Sequence, residues 1–199
     1  MMMLGLAGAA GAGKDTVADY LAKNYGFVKF SFSDALYREV TAAFALPNEQ
    51  LLRDRDTKET PTDRLALHLC ADKRFIEVAT AEIDKLYSAP KLLAPWLTPL
   101  SPRQVLQWWG TEYRRAQDPD YWVSRAEEWV YETRFRVQYP EHRPQYFVNT
   151  SVRFPNEREW VHDMDGQVWH IRREGFSGVN AHVSETLLPI LGNERELFN

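Results

Sequence analysis

A glycine-rich segment near the amino end, GAAGAGK from Gly8 to Lys14, has the residue types and spacing of a phosphate-binding loop. Glycines let backbone N–H groups point inward around a phosphate, and a helix that begins where the loop ends adds its positive N-terminal end. The Lys14 side chain would reach the outer phosphates of a nucleotide as a compact cation. The chemistry that this segment predicts is the binding of a nucleotide through its phosphates.

Such a loop works only between a strand and a helix, and the flanking sequence predicts both. The apolar run Met3–Ala7 precedes the loop and has the length of a short buried strand. After the loop, Val17, Tyr20 and Leu21 recur at spacings of three and four, which gives one apolar helical face. The order of strand, loop and helix favours phosphate binding over a glycine turn that merely joins two elements.

The residue after the lysine departs from the strict pattern, which has Ser or Thr there. Asp15 occupies that position, and the hydroxyl comes one residue later, at Thr16. An aspartate in the first helical turn suits the helix dipole but would repel a phosphate pointed straight at it. We therefore expect Asp15 to face solvent or a metal-bound water. The residues predicted to bind the nucleotide are Gly8, Gly11, Ala12, Gly13, Lys14, Asp15 and Thr16, with Thr16 and Asp15 as candidate metal ligands.

The remaining chain predicts an α/β fold with a mainly parallel sheet, because strands alternate with helices. Further strands are expected at Phe27–Phe32, Tyr146–Val148 and Gln167–Ile171. Between Pro47 and Pro102 the chain changes character, with charged residues, one helical pattern and repeated prolines. We therefore expect one domain over residues 1–199, in which 47–100 form a helical and loop insertion or a lid.

The composition argues against several other classes of protein. There are 24 Lys and Arg against 28 Asp and Glu, and a net charge of −4 is a poor match for wrapping duplex nucleic acid. Cys70 is the one cysteine, so intramolecular disulfides and multi-cysteine metal sites are excluded. The apolar run before Lys14 is too short for a membrane span and lacks the basic start of a signal peptide. We expect a protein of the cytoplasm, or of the host cytoplasm if it is phage-encoded.

Arginines at several places could serve phosphoryl transfer, which needs cations to bring two anionic partners together. Arg103, Arg114–Arg115, Arg153 and Arg172–Arg173 stand in motif-like surroundings. For any one arginine, a solvated surface position is the more common role. Arg53 and Arg55 alternate with aspartates and fit that surface role best.

Eight segments follow one another along the chain: Gly8–Thr16, Phe30–Asp34, Asp54–Glu59, Ser101–Gln104, Gly110–Glu112, Asp118–Val123, Val152–Glu157 and His182–Glu185. Taken together and in this order, they resemble the deoxynucleoside monophosphate kinases of tailed bacteriophages and prophages. The resemblance implies a P-loop fold of the nucleoside-monophosphate-kinase type and the use of ATP and Mg²⁺. It also implies a deoxynucleoside 5′-monophosphate as the acceptor, and related enzymes suggest a homodimer.

The resemblance also implies roles for individual residues. Lys14 and Arg153 would act on the transferring phosphoryl group, and Arg103 and Arg115 would bind the phosphate of the acceptor. Gln104 could hydrogen-bond a nucleobase. Two further interpretations stay open: Asp34 contacts metal-bound water or the acceptor, or only caps a helix, and Trp108 and Trp109 stack on a base or belong to the core.

Two features depart from the family pattern. Ser151 stands where the family usually carries an aspartate at the end of a strand, and an acidic residue there would help to order Mg²⁺ and its waters. Either Asp34 or Asp15 could take over that task. The connection from Thr60 to Leu100 is also longer than in relatives, and it could be a lid, a dimer contact or a decoration.

The predicted reaction transfers the γ-phosphoryl group of ATP to a deoxynucleoside monophosphate and gives ADP and the diphosphate. One alternative is another P-loop small-molecule kinase, with dephospho-coenzyme A or a nucleoside as acceptor, in which Asp34 would be a general base. The other is a non-catalytic module that binds ATP. No nucleic-acid polymer and no membrane is expected as a partner.

Overall fold

The computed structural model describes residues 1–86, 95–173 and 188–198. Within them, the α-helices are α1 (Lys14–Tyr25), α2 (Ser33–Ala43), α3 (Gln50–Arg53), α4 (Lys73–Leu86), α5 (Pro102–Gln107), α6 (Tyr121–Phe135) and α7 (Pro155–Asp163). A π-helix, Trp108–Arg115, continues directly from α5. The strands are β1 (Met2–Ala7), β2 (Val28–Phe30), β3 (Tyr146–Val152), β4 (Gln167–Arg172) and β5 (Arg195–Phe198). The motif His182–Glu185 lies outside the described residues.

The strands form one sheet in the order β2–β3–β1–β4–β5, and every strand pairing is parallel. The predicted α/β class with a mainly parallel sheet is therefore confirmed. In a parallel sheet the carboxyl ends of the strands lie at one edge, which is where ligands bind in open α/β folds. The segments that follow β1, β2 and β3 all leave the sheet at that edge.

The chain divides into two compact units, each described here by itself. The first unit comprises Met1–Ser33 and Trp122–Asn199, and the second comprises Asp34–Tyr121. The first contains the sheet with α1 and α7, and the second contains α3, α4, α5 and the π-helix. The second unit thus begins before and ends after the insertion predicted at 47–100, whose role as a lid stays a prediction.

The core of the first unit lies between the sheet and α1. Leu4, Leu6 and Val148 on the central strands are at most 1% exposed, and Ala18 of α1 is fully buried against them. Strands that are covered on both faces explain the continuous apolar runs in the sequence. Each fully buried Leu or Val contributes roughly 1.5–3 kcal/mol by leaving water, so this packing holds β1 and α1 on either side of the glycine loop.

The core of the second unit is aromatic. Phe75 of α4 packs on Trp109 of the π-helix, with the ring centroids 4.5 Å apart, and Tyr113 and Phe44 contact the same ring of Phe75. Trp109 is 1% exposed and Trp108 is 7% exposed. Of the two open interpretations of these tryptophans, the structure therefore supports the core.

Glu194, just before β5, fixes the end of the described chain to the first unit. Its fully buried carboxylate lies 2.8 Å from Nε2 of His170 on β4 and 3.2 Å from Nε2 of His162 on α7. The same carboxylate accepts a hydrogen bond from the backbone amide of Leu191 at 2.8 Å. Burial raises the pKa of Glu194, but the Leu191 amide and the two imidazoles outweigh it and hold the pKa below its ordinary value.

Local hydrogen bonds and one positive φ define the ends of three helices. Gly26 ends α1 with φ 70°, and Ser101 caps α5 in a capping box. Of the two interpretations left open for Asp34, the helix cap is not observed, because Asp34 lies inside the first turn of α2. Helix α2 begins at Ser33 itself, whose backbone amide donates to the Ser31 hydroxyl at 3.1 Å. The serine two residues earlier therefore satisfies an amide of this helix start.

Candidate functional site

The glycines of the loop between β1 and α1 adopt backbone conformations that are unfavourable for residues with a Cβ atom. Gly8, Gly11 and Gly13 have φ values of 135°, 83° and 100°. A Cβ atom on Gly8 would also lie 2.3 Å from the carbonyl oxygen of Ile171. Glycine is thus favoured at these positions, and positive φ values of this kind are typical of loops whose backbone amides bind a phosphate.

Lys14 lies folded over this loop. Its Nζ donates to the carbonyl oxygen of Gly8 at 2.7 Å and to that of Ala9 at 2.8 Å. The residue is 8% exposed, which is rare for a lysine. The sequence placed a cation at this position, and the structure shows that the loop carbonyls hold it there.

The first turn of α1 carries the two candidate metal ligands. Thr16 is exposed, whereas Asp15 is drawn toward β2, where Nζ of Lys29 lies 3.2 Å from its Oδ1. Lys29 also binds Oδ1 of Asp19 at 2.9 Å. Lys29 belongs to no sequence motif, and only its alternation with apolar residues in the predicted strand indicates a side chain that faces away from the core.

A chain of hydroxyl groups joins the carboxyl ends of β2 and β3. Ser151 accepts hydrogen bonds from the backbone amide of Phe32 at 3.0 Å and from the Ser31 hydroxyl at 2.7 Å. Ser31 in turn lies 2.7 Å from the Ser33 hydroxyl. The position at which the family pattern has an aspartate is therefore used here to tie two neighbouring strands together.

Arg153 follows β3 directly and is half-buried. Its backbone amide donates to Oε2 of Glu157 at 2.7 Å, and the backbone amide of Phe154 donates to the same oxygen at 3.1 Å. Glu157 is 2% exposed and closes the start of α7. The motif from Val152 to Glu157 thus has a structural function, because the glutamate fixes the backbone that carries the Arg153 side chain.

Asp34 belongs to the second unit and has a cationic partner. Its Oδ1 accepts a hydrogen bond from Nη2 of Arg53 at 2.9 Å, and Nε of Arg53 binds Glu49 at 2.7 Å. The guanidinium of Arg53 also lies over the ring of Tyr37, 4.1 Å from its centroid. Arg53 is 45% exposed, but it is more than the isolated surface charge that its sequence surroundings indicated.

The other predicted acceptor residues also lie in the second unit. Gln104 uses its side-chain oxygen to accept from the Ser101 amide at 2.9 Å and so completes the capping box of α5. Arg103 forms an ion pair with Glu59, and its backbone amide donates to the Lys58 carbonyl at 2.9 Å. Arg115 lies at the end of the π-helix, and its Nη1 donates to the Pro119 carbonyl at 3.3 Å.

Glu39, which no sequence motif singles out, contacts two residues of the π-helix. Its carboxylate accepts from Nε1 of Trp109 at 2.8 Å, from Nε of Arg114 at 2.9 Å and from the Tyr121 hydroxyl at 2.5 Å. The guanidinium of Arg114 lies 4.5 Å from the centroid of the Tyr113 ring. The Arg114 side chain thus packs inside the second unit, whereas the guanidinium of Arg115 donates to the Pro119 carbonyl.

The structure therefore divides the predicted residues between the two units. The loop residues from Gly8 to Thr16 and Arg153 belong to the first unit, and Asp34, Arg103, Gln104 and Arg115 belong to the second. Across the described residues, no group of three or more His, Cys, Asp or Glu side chains could hold a metal ion. Nor does that part of the chain contain a helix that is long and apolar enough to cross a membrane.

The α/β fold with its all-parallel sheet and the glycine loop between β1 and α1 is consistent with a P-loop kinase fold. Over 192 residues the chain is 29% identical to a protein of Acanthamoeba polyphaga mimivirus that bears the name "Putative deoxynucleotide monophosphate kinase". The similarity covers 94% of this chain and 82% of the mimivirus protein. No family model matches the sequence.

Proposed function

We propose that this chain is a kinase that transfers the γ-phosphoryl group of ATP to a deoxynucleoside 5′-monophosphate, giving ADP and the deoxynucleoside diphosphate. The observation that carries the proposal is the loop from Gly8 to Lys14, whose glycines have positive φ and whose lysine lies on the loop carbonyls. The class of acceptor is supported by the name of the mimivirus relative and by the ordered motifs that resemble phage kinases.

On the donor side, the loop amides and the start of α1 would hold the phosphates of ATP. Lys14 would exchange the carbonyl oxygens of Gly8 and Ala9 for phosphate oxygens, which are stronger acceptors because they are charged. The Lys14 ammonium group would therefore have hydrogen-bond acceptors both before and after ATP binds. Binding of the nucleotide therefore costs the loop little reorganisation beyond the movement of one side chain.

The side-chain oxygens at the start of α1 fit a Mg²⁺ site of the usual kind. This ion usually takes one or two oxygen ligands from a protein and the rest from phosphates and water, so a cluster of carboxylates is not required. The exposed hydroxyl of Thr16, in the first turn of α1, suits that role. Asp15 is paired with Lys29 instead. When bound, the ion would neutralise charge on the transferring phosphoryl group.

On the acceptor side, Arg103 and Arg115 would bind the monophosphate, Gln104 would meet the base, and Arg153 would stabilise charge on the phosphoryl group in flight. A monophosphate brings its own nucleophilic oxyanion, so the reaction needs no general base. Asp34, whose carboxylate is held by Arg53, then has no proton to remove. The ion pair with Arg53 gives Asp34 a structural role that does not depend on the class of acceptor.

The test is an ADP-release assay with ATP and Mg²⁺ across the deoxynucleoside and ribonucleoside monophosphates. We expect ADP to form with at least one deoxynucleoside monophosphate, and we expect the variant Lys14→Ala to abolish it. Lys23→Ala, an exposed lysine in the last turn of the same helix, is the matched control and should leave the rate unchanged.

Each alternative gives a different result in this assay. A non-catalytic module would bind ATP without any ADP release that depends on a monophosphate. A kinase for a hydroxyl acceptor would release ADP with a nucleoside or dephospho-coenzyme A, and Asp34→Asn would remove that activity. Either result would refute the proposed acceptor class.

A further inference from the structure

Lys29 on β2 binds two carboxylates of α1 at once. Its Nζ lies 3.2 Å from Oδ1 of Asp15 and 2.9 Å from Oδ1 of Asp19. Partial burial lowers the pKa of Lys29, but the hydrogen bonds to Asp19 and Asp15 outweigh it and raise the pKa above its ordinary value. The side chain is therefore a fixed positive charge between the strand and the helix at neutral pH.

The position of Asp15 gives this ion pair its importance. Asp15 follows Lys14 in the first turn of α1, where the backbone amides that would hold a phosphate begin. A strict phosphate loop has an uncharged hydroxyl residue there. A carboxylate at this position repels the phosphates of a nucleotide, unless a cation cancels its charge or draws it aside.

Asp19 lies one helical turn further along α1, about 6 Å from Asp15 along the helix axis. Lys29 binds both aspartates on the side of α1 that faces β2. The two ion pairs use the same cation and the same kind of partner, but only Asp15 adjoins the loop. Asp19 therefore provides an internal control for any effect that depends on distance from the phosphates.

The inference rests on the proposed function. We infer that Lys29 is a positioning residue of the nucleotide site: it holds the Asp15 carboxylate on the side of α1 that faces β2, so that the triphosphate of ATP meets no uncompensated anion beside Lys14. Lys29 itself contacts neither substrate. A cation on β2 thus permits an aspartate at a position where phosphate loops otherwise have serine or threonine.

The experiment is a calorimetric titration of the full chain with MgATP at low salt. Lys29→Met should weaken binding roughly fivefold, as expected for one uncompensated charge near the phosphates. High salt should shrink this difference, because it screens charges of this exposure. Lys29→Arg should bind like the wild type, since the guanidinium keeps the charge and can bind both carboxylates.

Two double variants separate positioning from a general loss of packing. Lys29→Met combined with Asp15→Asn should restore binding to within about twofold of the wild type, because the uncompensated charge is gone. Lys29→Met combined with Asp19→Asn should stay as weak as Lys29→Met alone. Both lack the same lysine, so a difference between them cannot come from a folding defect caused by its removal.

Three results would overturn the inference. Lys29→Met could bind MgATP as tightly as the wild type, or the two double variants could bind equally. Alternatively, Asp15→Asn alone could weaken binding, which would show that Asp15 is a metal ligand. The proposed function fails in a different way, because the wild-type chain would then bind no MgATP or Lys14→Ala would bind it unchanged.

Discussion

The hydroxyl of Ser151 and the backbone amide of Phe32 are joined by a hydrogen bond of 3.0 Å that links the end of β3 to the segment after β2. The amide is buried, and Phe32 is 3% exposed. Ser151 stands where the phage kinases that the sequence resembles usually have an aspartate, and it keeps an oxygen acceptor at this position without a negative charge.

Replacing Ser151 with alanine should destabilise the protein by about 1–3 kcal/mol, because the Phe32 amide would stay buried without its acceptor. Urea unfolding measures the loss. Ser124→Ala, at an exposed position on α6, is the control and should change stability by less than about 0.5 kcal/mol. Equal stability of the two variants would show that water can replace the Ser151 hydroxyl.

Gly8→Ala should be one of the most damaging small substitutions in the chain. The new Cβ would lie 2.3 Å from the Ile171 carbonyl oxygen at a φ of +135°, so we expect a loss of at least about 2 kcal/mol. Gly26→Ala has a φ of +70° but open space, and it should lose about 1 kcal/mol.

Thermal unfolding of both glycine variants tests the contrast. Gly192→Ala, where a Cβ would meet nothing within 4 Å, serves as the baseline. A Gly8→Ala protein as stable as the Gly192→Ala protein would mean that the loop relaxes away from β4. In that case the positive φ of Gly8 would not be required for the fold.

Arg153→Ala should lower kcat by roughly 10³-fold or more while the KM for ATP changes little, as expected for an arginine that acts on the phosphoryl group in flight. The fold should survive, because the hydrogen bond from residue 153 to Glu157 comes from the backbone amide, which alanine keeps. Steady-state kinetics with Arg136→Ala, whose side chain is 76% exposed, as the control would test this. A higher KM at unchanged kcat would assign Arg153 to ground-state binding instead.

The stability of the protein should fall at acidic pH in part through Glu194. Its pKa is lower in the folded chain than its ordinary value, so the folded state binds this proton less tightly than the unfolded state. The contribution is complete above the ordinary value, about 4.3, and is lost as the pH falls through the folded-state pKa.

Urea unfolding of wild type and Glu194→Gln at about pH 5.5 and about pH 3.5 compares stability on the two sides of the ordinary carboxyl pKa. The wild type should lose more stability between the two pH values than the variant, because glutamine does not titrate. Glu127→Gln, at an exposed position on α6, should behave like the wild type. A parallel decline of the Glu194→Gln protein would contradict the prediction.

The sequence was sufficient to predict the parts of the fold that depend on local pattern. Apolar runs located β1, β3 and β4, because parallel strands are buried on both faces. The spacing of the glycines located the loop. β5 was not predicted, since all four of its residues are exposed and it lacks an apolar pattern. It is held by its pairing with β4 and by Glu194, and both are contacts between residues far apart in sequence.

Local pattern was less informative about the candidate site. The loop residues are consecutive, so their spacing in the sequence was sufficient to predict a phosphate-binding loop. The pairs Lys29–Asp15 and Asp34–Arg53 join residues 14 and 19 positions apart, and no period in the sequence connects them. The π-helix was also not predicted, because the Glu39 carboxylate that organises it comes from α2.

The division of the chain into two units has a consequence for how this protein can change. The phosphate loop, Lys29 and Arg153 all fall in the first unit, and the three residues proposed to bind the acceptor, Arg103, Gln104 and Arg115, fall in the second. Substitutions that broaden or narrow the range of accepted bases can accumulate in residues 34–121 while the residues proposed to bind ATP stay unchanged. Laboratory selection for a new nucleotide analogue should therefore randomise that stretch alone.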